Sequence, residues 1–355
     1  MRLSPGRGHP GERRCSLIIT YSAMSKFLSC PAKYRFRYIQ ELVSREEDPV
    51  LWFGSAIHEC LALFYHGVDL PEILTTLDAR YSDRENNPEQ KRDWQYTRAI
   101  MRNYARLFGI EPFVPTSPIP FDDPIIECPF EIQLADGVIF AGKADALVEM
   151  FQAVETPWGN LKPGYYLLEH KTSSNPSDLY WSQKWADQQT ALYSWAVERE
   201  YGIVLNGVIY NVISKPKIRQ TAGETAEEYQ ARCAELIAKS KSGKTSAKRK
   251  AAESDADFEA RLDAWYQEPD RFQRRIIPHD PEIIADAILT ITQTAEDIAR
   301  ASKTSYCRRS SGCMEYGKPC EYMPICRPGS DVGLYHSLYV NKKAHCELEG
   351  ESNED

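Results

Sequence analysis

Tyr165-Tyr166-Leu167-Leu168-Glu169-His170-Lys171-Thr172 reads as a β-strand, preceded by the turn Pro163-Gly164 and ending in three polar, ionisable side chains. Side chains alternate across a strand, so Glu169 and Lys171 share one face and His170 takes the other. A second strand, Val138–Met150, carries Asp145 in Gly142-Lys143-Ala144-Asp145 and is joined to Ile125–Leu134 by the hairpin turn Asp136-Gly137. Charged groups in strands otherwise apolar are costly to bury without partners. Two readings satisfy them. One is a salt bridge at a sheet edge, Lys171 with Glu169 or Asp145. The other is a divalent cation: Mg²⁺ and Mn²⁺ take hard oxygen ligands and keep several waters. An adjacent ammonium could then orient the attacking water and offset charge developing on a phosphate.

Helical patterns surround these strands. Ser22 is a plausible N-cap for a short helix through Phe27 and Leu28, and Pro31 starts another with Tyr34, Phe36 and Tyr38. Phe53–Tyr65 is amphipathic, with Ile57, Leu61 and Phe64 on one side; further helices begin at Pro71 and at Glu89. Pro112–Pro124 holds five prolines and reads as a loop. Leu179–Tyr201 reads as one long helix ending near Gly202, followed by a Val- and Ile-rich strand at Ile203–Ser214. Lys215 to about Arg275 is polar, a helical insertion with a flexible middle around Ser240–Ala252. Arg271–Ile277 reads as one more strand and Asp280–Ala301 as a helix. The order of helices, hairpin, strand, helix and strand predicts an α/β core with a mixed sheet flanked by helices. The expected division is a disordered leader over 1–20, a core of 21–214 with 270–330, an insertion at 215–269 and a frayed tail at 331–355.

Two helical features belong beside the carboxylates. His58, in Gly54-Ser55-Ala56-Ile57-His58, is open to two readings: a satisfied core or surface group, or a third metal ligand. Gln189 and Tyr193 are one helical turn apart and share a face, where an amide and a phenol could meet a phosphate or simply pack.

The chain has 355 residues, 42% of them hydrophobic, and 20 Tyr and 7 Trp, ample for a large core. No apolar run approaches the roughly 18 residues of a membrane span. The first residues lack the apolar block of a secretory signal, so a cytoplasmic location is expected. Net charge is −8, which by itself does not announce a nucleic-acid partner. The sign is uneven, however: Lys26, Lys33, Arg35, Arg37 and Arg45 crowd one segment, and Lys239, Lys241, Lys244, Lys248, Arg249 and Lys250 another. Of ten cysteines, Cys307, Cys313, Cys320 and Cys326 cluster near the C-terminus. Without CxxC spacing they do not suggest a zinc ribbon, yet thiols so close in sequence suit zinc or an iron–sulfur cluster.

Taken in order, Ser22, Cys30-Pro31-x-Lys33-Tyr34, Gly54…His58, Gly142-Lys143-Ala144-Asp145, Glu169-His170-Lys171-Thr172 and Gln189…Tyr193 resemble the RecB-like nucleases of the PD-(D/E)xK superfamily, including AddB-type exonucleases and CRISPR-associated adaptation nucleases. The resemblance covers roughly Tyr21–Tyr210 and returns at Cys313–Cys326. It implies a restriction-endonuclease-like fold. It implies that His58, Asp145, Glu169 and the His170 carbonyl bind Mg²⁺ or Mn²⁺, that Lys171 is the catalytic lysine, and that Gln189 and Tyr193 contact substrate. Asp145 stands in Ala-Asp-Ala where the superfamily's name has Pro-Asp. The resemblance further implies a [4Fe–4S] cluster on Cys30, Cys313, Cys320 and Cys326, with Cys307 a rival to Cys313 and Zn²⁺ the alternative occupant.

The expected function is a metal-dependent DNA nuclease, an exonuclease acting on ends or single strands in recombination, repair or phage replication, beside a recombinase or single-strand binding protein. Aromatics such as Tyr34, Phe36, Trp181 and Trp185 could stack on bases, or pack in the core. The rival expectation is an inactive nuclease-fold module that grips DNA ends or recruits a partner.

Overall fold

The computed structural model describes residues 17–45, 49–119, 122–315, 317–329, 333–346 and 348. Strand β1 (Leu17–Ile19) leads into helix α1 (Tyr21–Ser29). The cap of α1 is Thr20 and not the expected Ser22: its hydroxyl accepts the Ala23 N–H at 3.2 Å. Helices α2 (Pro49–Tyr65), α3 (Leu70–Arg80) and α4 (Pro88–Phe108) follow, the last capped by Asn87. The proline-rich loop contributes a two-residue strand, β2 (Val114–Pro115). Then come β3 (Ile126–Ala135), β4 (Val138–Met150) and β5 (Gly164–Ser173). Helix α5 (Gln188–Tyr201) ends on Gly202 in the left-handed conformation, φ 66°, and β6 (Leu205–Ser214) runs on from it. Helices α6 (Ala226–Lys239) and α7 (Asp255–Tyr266), strand β7 (Phe272–Pro278) and helix α8 (Pro281–Lys303) complete the frame.

The seven strands form one mixed sheet, ordered β1-β4-β5-β6-β7, with β2 and β3 also on β4. The β3–β4 hairpin is antiparallel, β4–β5 antiparallel, β5–β6 parallel and β6–β7 antiparallel. Helices cover both faces. One face packs α2, α3, α4 and α7 against Ala146, Val148, Leu168 and Ile209. The other packs α1, α5 and α8 against Phe140, Leu147, Leu167 and Tyr210. This is the α/β core, mixed sheet between helical layers, that the strand and helix periods predict.

The long strand β4 is the organising element. β3 pairs along one edge, from Val138 to Ala146. The opposite edge is shared: β1 takes Val138–Phe140 and β5 takes Ala146–Met150. Residues 141–145 therefore have an open edge, and Asp145 stands at its inner end, where β4 and β5 part. Gly142 lies in this stretch because nothing larger fits: a Cβ there would come within 2.5 Å of the Phe130 ring.

Four expectations need correction. The leader was to reach residue 20, yet Leu17–Ile19 pairs in register with Val138–Phe140; residues 1–16 of that leader lie outside the described residues. The helix expected over Leu179–Tyr201 is broken into Asp178–Ser182, a 3₁₀ turn at Lys184–Ala186 and α5. Asp187 is the cause: in an extended conformation, its carboxylate accepts the N–H groups of Gln189 and Thr190 and starts a new helix. The tail expected to fray from 331 instead contains a helix at Gly333–Leu338 and a strand, Tyr339–Asn341, paired with Leu42–Ser44. Residues 330–332, 347 and 349–355 of that end lie outside the described residues. The C-terminal helix of the polar insertion belongs to the core, because α7 buries Phe258, Leu262 and Tyr266 and Arg102 of α4 grips Glu259 and Asp263.

Among the described residues, no helix is long and apolar enough to cross a membrane. The packing of α7 carries a prediction. Phe258 is fully buried, so Phe258→Ala costs about 3–5 kcal/mol of stability in urea denaturation; a loss under about 1 kcal/mol would mean that α7 is a dispensable part of the insertion.

Candidate functional site

Four of the residues singled out from sequence meet at the open edge of β4. The β4–β5 ladder ends at Ala146 and Leu168, so Asp145 and Glu169 are the first side chains beyond it. The His170 N–H, left without a strand partner there, donates to Asp145 Oδ2 at 2.6 Å. In a strand the N–H and C=O of one residue lie on the same edge, which turns the His170 carbonyl toward this gap as well. His58 reaches over from α2, its Nδ1 3.1 Å from Asp145 Oδ1. Lys171 pairs with Glu169. On the α5 side, the Tyr193 phenol lies within the electrostatic reach of Glu169 and Lys171, beside Gln189 one turn earlier on the helix. Phe130, cradled by Gly142, packs edge-on against Tyr193 at 5.1 Å.

The charges are set by burial against neighbours. Burial opposes ionisation of Asp145, but His58 and the surrounding donors outweigh it and hold the carboxyl well below its usual range. Glu169 shifts the other way: burial, then the Asp145 charge, raise it despite Lys171. Burial likewise works against the Lys171 ammonium, and Glu169 and Asp145 overcome it, so lysine stays cationic. For His58, burial again opposes charge and Asp145 reverses the sign, raising its pKa. His58 keeps 31% of its side chain exposed, so solvent screens part of that attraction.

Behind the gap lies a network that the sequence reading missed. His170 points to the α2 and α4 side, as alternation requires, and stacks on Tyr65 at 5.5 Å. Its Nδ1 accepts from Asn211 Nδ2 at 2.9 Å. Burial lowers its pKa to about 3, so the ring is neutral with its proton on Nε2. Asn211 in turn accepts from Arg274, which is held by both oxygens of Glu111 at 2.7 Å. The one signal was Asn211 itself, an amide amid Val208-Ile209-Tyr210 and Val212-Ile213. Also missed was Glu127 on β3, which feels the Asp145 charge and lies 3.9 Å from Lys143. It alternates with buried residues as a solvent-facing position would, so the pattern hid it.

The cysteines gather at a corner away from the sheet. Cys30 Sγ accepts the Arg309 N–H at 3.3 Å, and the Cys320 N–H donates to the Cys313 carbonyl at 2.8 Å. Cys30, Cys320 and Cys326 share a small apolar cluster with Phe36 and Tyr322. Among the described residues all cysteines are free thiols, and no three His, Cys, Asp or Glu side chains stand arranged to hold a metal ion, here or at the sheet. At the sheet the donors are instead engaged with each other, His58 with Asp145 and Glu169 with Lys171. Of the aromatics considered for stacking, Tyr34, Phe36 and Trp181 are buried, whereas Trp185 is 64% exposed.

The sequence pattern of the PD-(D/E)XK nuclease superfamily matches residues 18–327. No curated protein sequence matches the chain. A solved structure from Eubacterium rectale, of a protein described as a "putative exonuclease", is similar with a TM-score of 0.42 at 12% identity, over 92% of this chain and 99% of that one.

The His58–Asp145 pair makes a pH prediction for the metal-free protein. The raised imidazole stabilises the fold fully below its ordinary value near 6.5 and loses that contribution as pH rises through the folded value; the depressed carboxylate stabilises above its ordinary value near 3.9 and loses that contribution as pH falls through the folded one. Ring-proton NMR should show His58 titrating above the ordinary histidine value, and Asp145→Asn should bring it below, since burial and the Lys171 charge then outweigh the smaller pull of Glu169. An unchanged His58 titration in Asp145→Asn would exclude the pair as the cause.

Proposed function

The chain belongs to the PD-(D/E)XK nuclease superfamily, and on that footing we propose that it is a divalent-metal-dependent nuclease that hydrolyses phosphodiester bonds in DNA. The observation that carries the reading is the open edge of β4, where a half-buried carboxylate, Asp145, and a buried one, Glu169, each already hold a positive group, His58 on Asp145 and Lys171 on Glu169. Oxygen-rich, negatively charged and partly desolvated, this donor set suits Mg²⁺ or Mn²⁺. When bound, such a cation supplies Lewis-acid polarisation of the phosphodiester and activation of water. Asp145, Glu169, His58 and the His170 carbonyl would hold it.

The chain's own residues supply the rest. Asn211 and Tyr65 fix the His170 ring, and with it the main chain between Glu169 and Lys171. Lys171, held cationic beside Glu169, would orient the attacking water or offset charge on a phosphate oxygen through its N–H groups. Gln189 and Tyr193, flanking Lys171 from α5, are suited to hydrogen-bond the phosphate. The exonuclease form of the reading adds that cleavage starts from an end.

The test uses end-labelled linear DNA and closed circular DNA with Mg²⁺ or Mn²⁺. Wild type should degrade the linear form, chelator should stop it, and Lys171→Ala or Glu169→Gln should slow it on the order of a hundredfold or more. Degradation of closed circles at the same rate would refute the exonuclease form. Intact DNA with wild type in both metals, despite binding, would establish the binding-module reading instead.

We further propose that Cys30, Cys313, Cys320 and Cys326 hold a [4Fe–4S] cluster, with Cys307 the rival to Cys313. What supports it is the soft-ligand chemistry of the thiols, the contact of Cys30 Sγ with the Arg309 N–H, and the apolar cluster that Cys30 shares with Cys320 and Cys326. The cluster would tie the C-terminal end of α1, at Cys30, to the C-terminal segment. Protein purified without air should be brown, with iron and sulfide in equal amounts, and Cys30→Ser should be colourless. A colourless wild type with stoichiometric zinc would overturn it.

A further inference from the structure

We propose that the excursion between β6 and α7 is an arm that grips the phosphate backbone of DNA, with Lys241, Lys244 and Lys248 as its contacts. The inference rests on the nuclease reading for the identity of its partner. It stands on the placement and charge of a segment whose outer part, from Ala226 to Lys250, puts no buried residue into the fold.

The arm is rooted at the site. Ser214, the last residue of β6, pairs with Ser173, two residues beyond Lys171, and the Lys215 N–H donates to the Ser173 carbonyl at 2.8 Å. The chain thus leaves the sheet from the catalytic end of the strand pair. The arm then closes on itself: the Glu253 N–H reaches the Thr221 carbonyl and the Glu224 N–H the Lys250 carbonyl, each at 3.0 Å. Within this loop α6 has no buried residue, and Leu236 and Ile237 are each 40% exposed. A helix so placed adds nothing to either core.

Its charge is one-sided. From Lys239 to Lys250 there are six basic residues and no acid, in a chain whose net charge is −8. Some of these cations are used internally. Lys239 pairs with Glu235, and the Arg249 guanidinium donates to the Glu224 carbonyl at 2.7 Å. Lys241, Lys244 and Lys248 are exposed, and among the described residues none has an ion-pair partner. Three hydrated point charges on flexible stems, carried by an irregular segment, suit sequence-independent contact with successive phosphates.

The experiment measures binding of labelled single-stranded and duplex DNA by fluorescence anisotropy across salt, in EDTA so that nothing is cleaved. Each phosphate contact steepens the dependence of log affinity on log salt by about 0.7 to 0.9, so Lys241→Gln, Lys244→Gln and Lys248→Gln together should flatten it by about two to three. Between about 50 and 200 mM salt, wild type should then lose roughly twentyfold to fortyfold more affinity than the variant. The three arginine replacements should restore the slope. Removing three exposed lysines elsewhere, Lys162, Lys303 and Lys342, should leave it unchanged. Equal slopes for wild type and the glutamine variant, equal flattening by the distant set, or no binding by wild type would each overturn the arm. Cleavage of a short oligonucleotide with Mn²⁺, measured alongside, fails only if the nuclease reading itself is wrong.

Discussion

The rest of the site depends on one main-chain N–H. Where β5 separates from β4, the His170 amide has no carbonyl opposite it, and Asp145 offers a carboxylate instead. That substitution satisfies a buried donor at the end of the ladder. It also pins the acid at the point where the sheet opens, and pins the strand segment that carries Glu169 and Lys171 against it. An ordinary ladder continued by two residues would close the gap; one broken without the carboxylate would leave the amide unsatisfied.

Charge balance follows from this geometry. Two acids close enough to feel each other's charge in a desolvated place cannot both be ionised without help. Help comes from opposite sides: an imidazole from α2 and an ammonium from the same strand as Glu169. The fold therefore keeps two positive groups at the carboxylates, which satisfies both acids within the protein. Behind the gap, the neutral His170 ring is clamped by Asn211, Arg274 and Glu111, so the network braces the strand while adding no charge to the site. A buried arginine held on both oxygens of one carboxylate is costly to disrupt, and its position links β7 and the loop after α4 to strands β5 and β6.

The frame divides its labour. The two helical layers and the sheet hold the site. The cysteine corner joins the segment after α1 to the C-terminal stretch, where Tyr322 and Tyr339 stack at 5.8 Å and the Tyr339–Asn341 strand returns to Leu42–Ser44. The arm between β6 and α7 stands outside both layers and is tied to the core only at its stem.

Local sequence determined much of this protein. Strand periodicity put Glu169 and Lys171 on one face and His170 on the other, the Asp136-Gly137 turn located the hairpin, and helical spacing placed His58 and Tyr193 on elements that could reach the sheet. These are properties of neighbours in the chain, written in periods of two and 3.6. Tertiary structure alone decided where β4 and β5 part, that Glu127 and Asn211 stand beside the site, that Asp187 interrupts a seemingly continuous helix, and that α7 and the tail join the frame. Each of those depends on partners distant in sequence: a ladder ends because β1 and β5 share one edge of β4, and Arg274 is buried because Glu111 is there to meet it. No local pattern encodes such a meeting, since its free energy arises only once both partners are brought together.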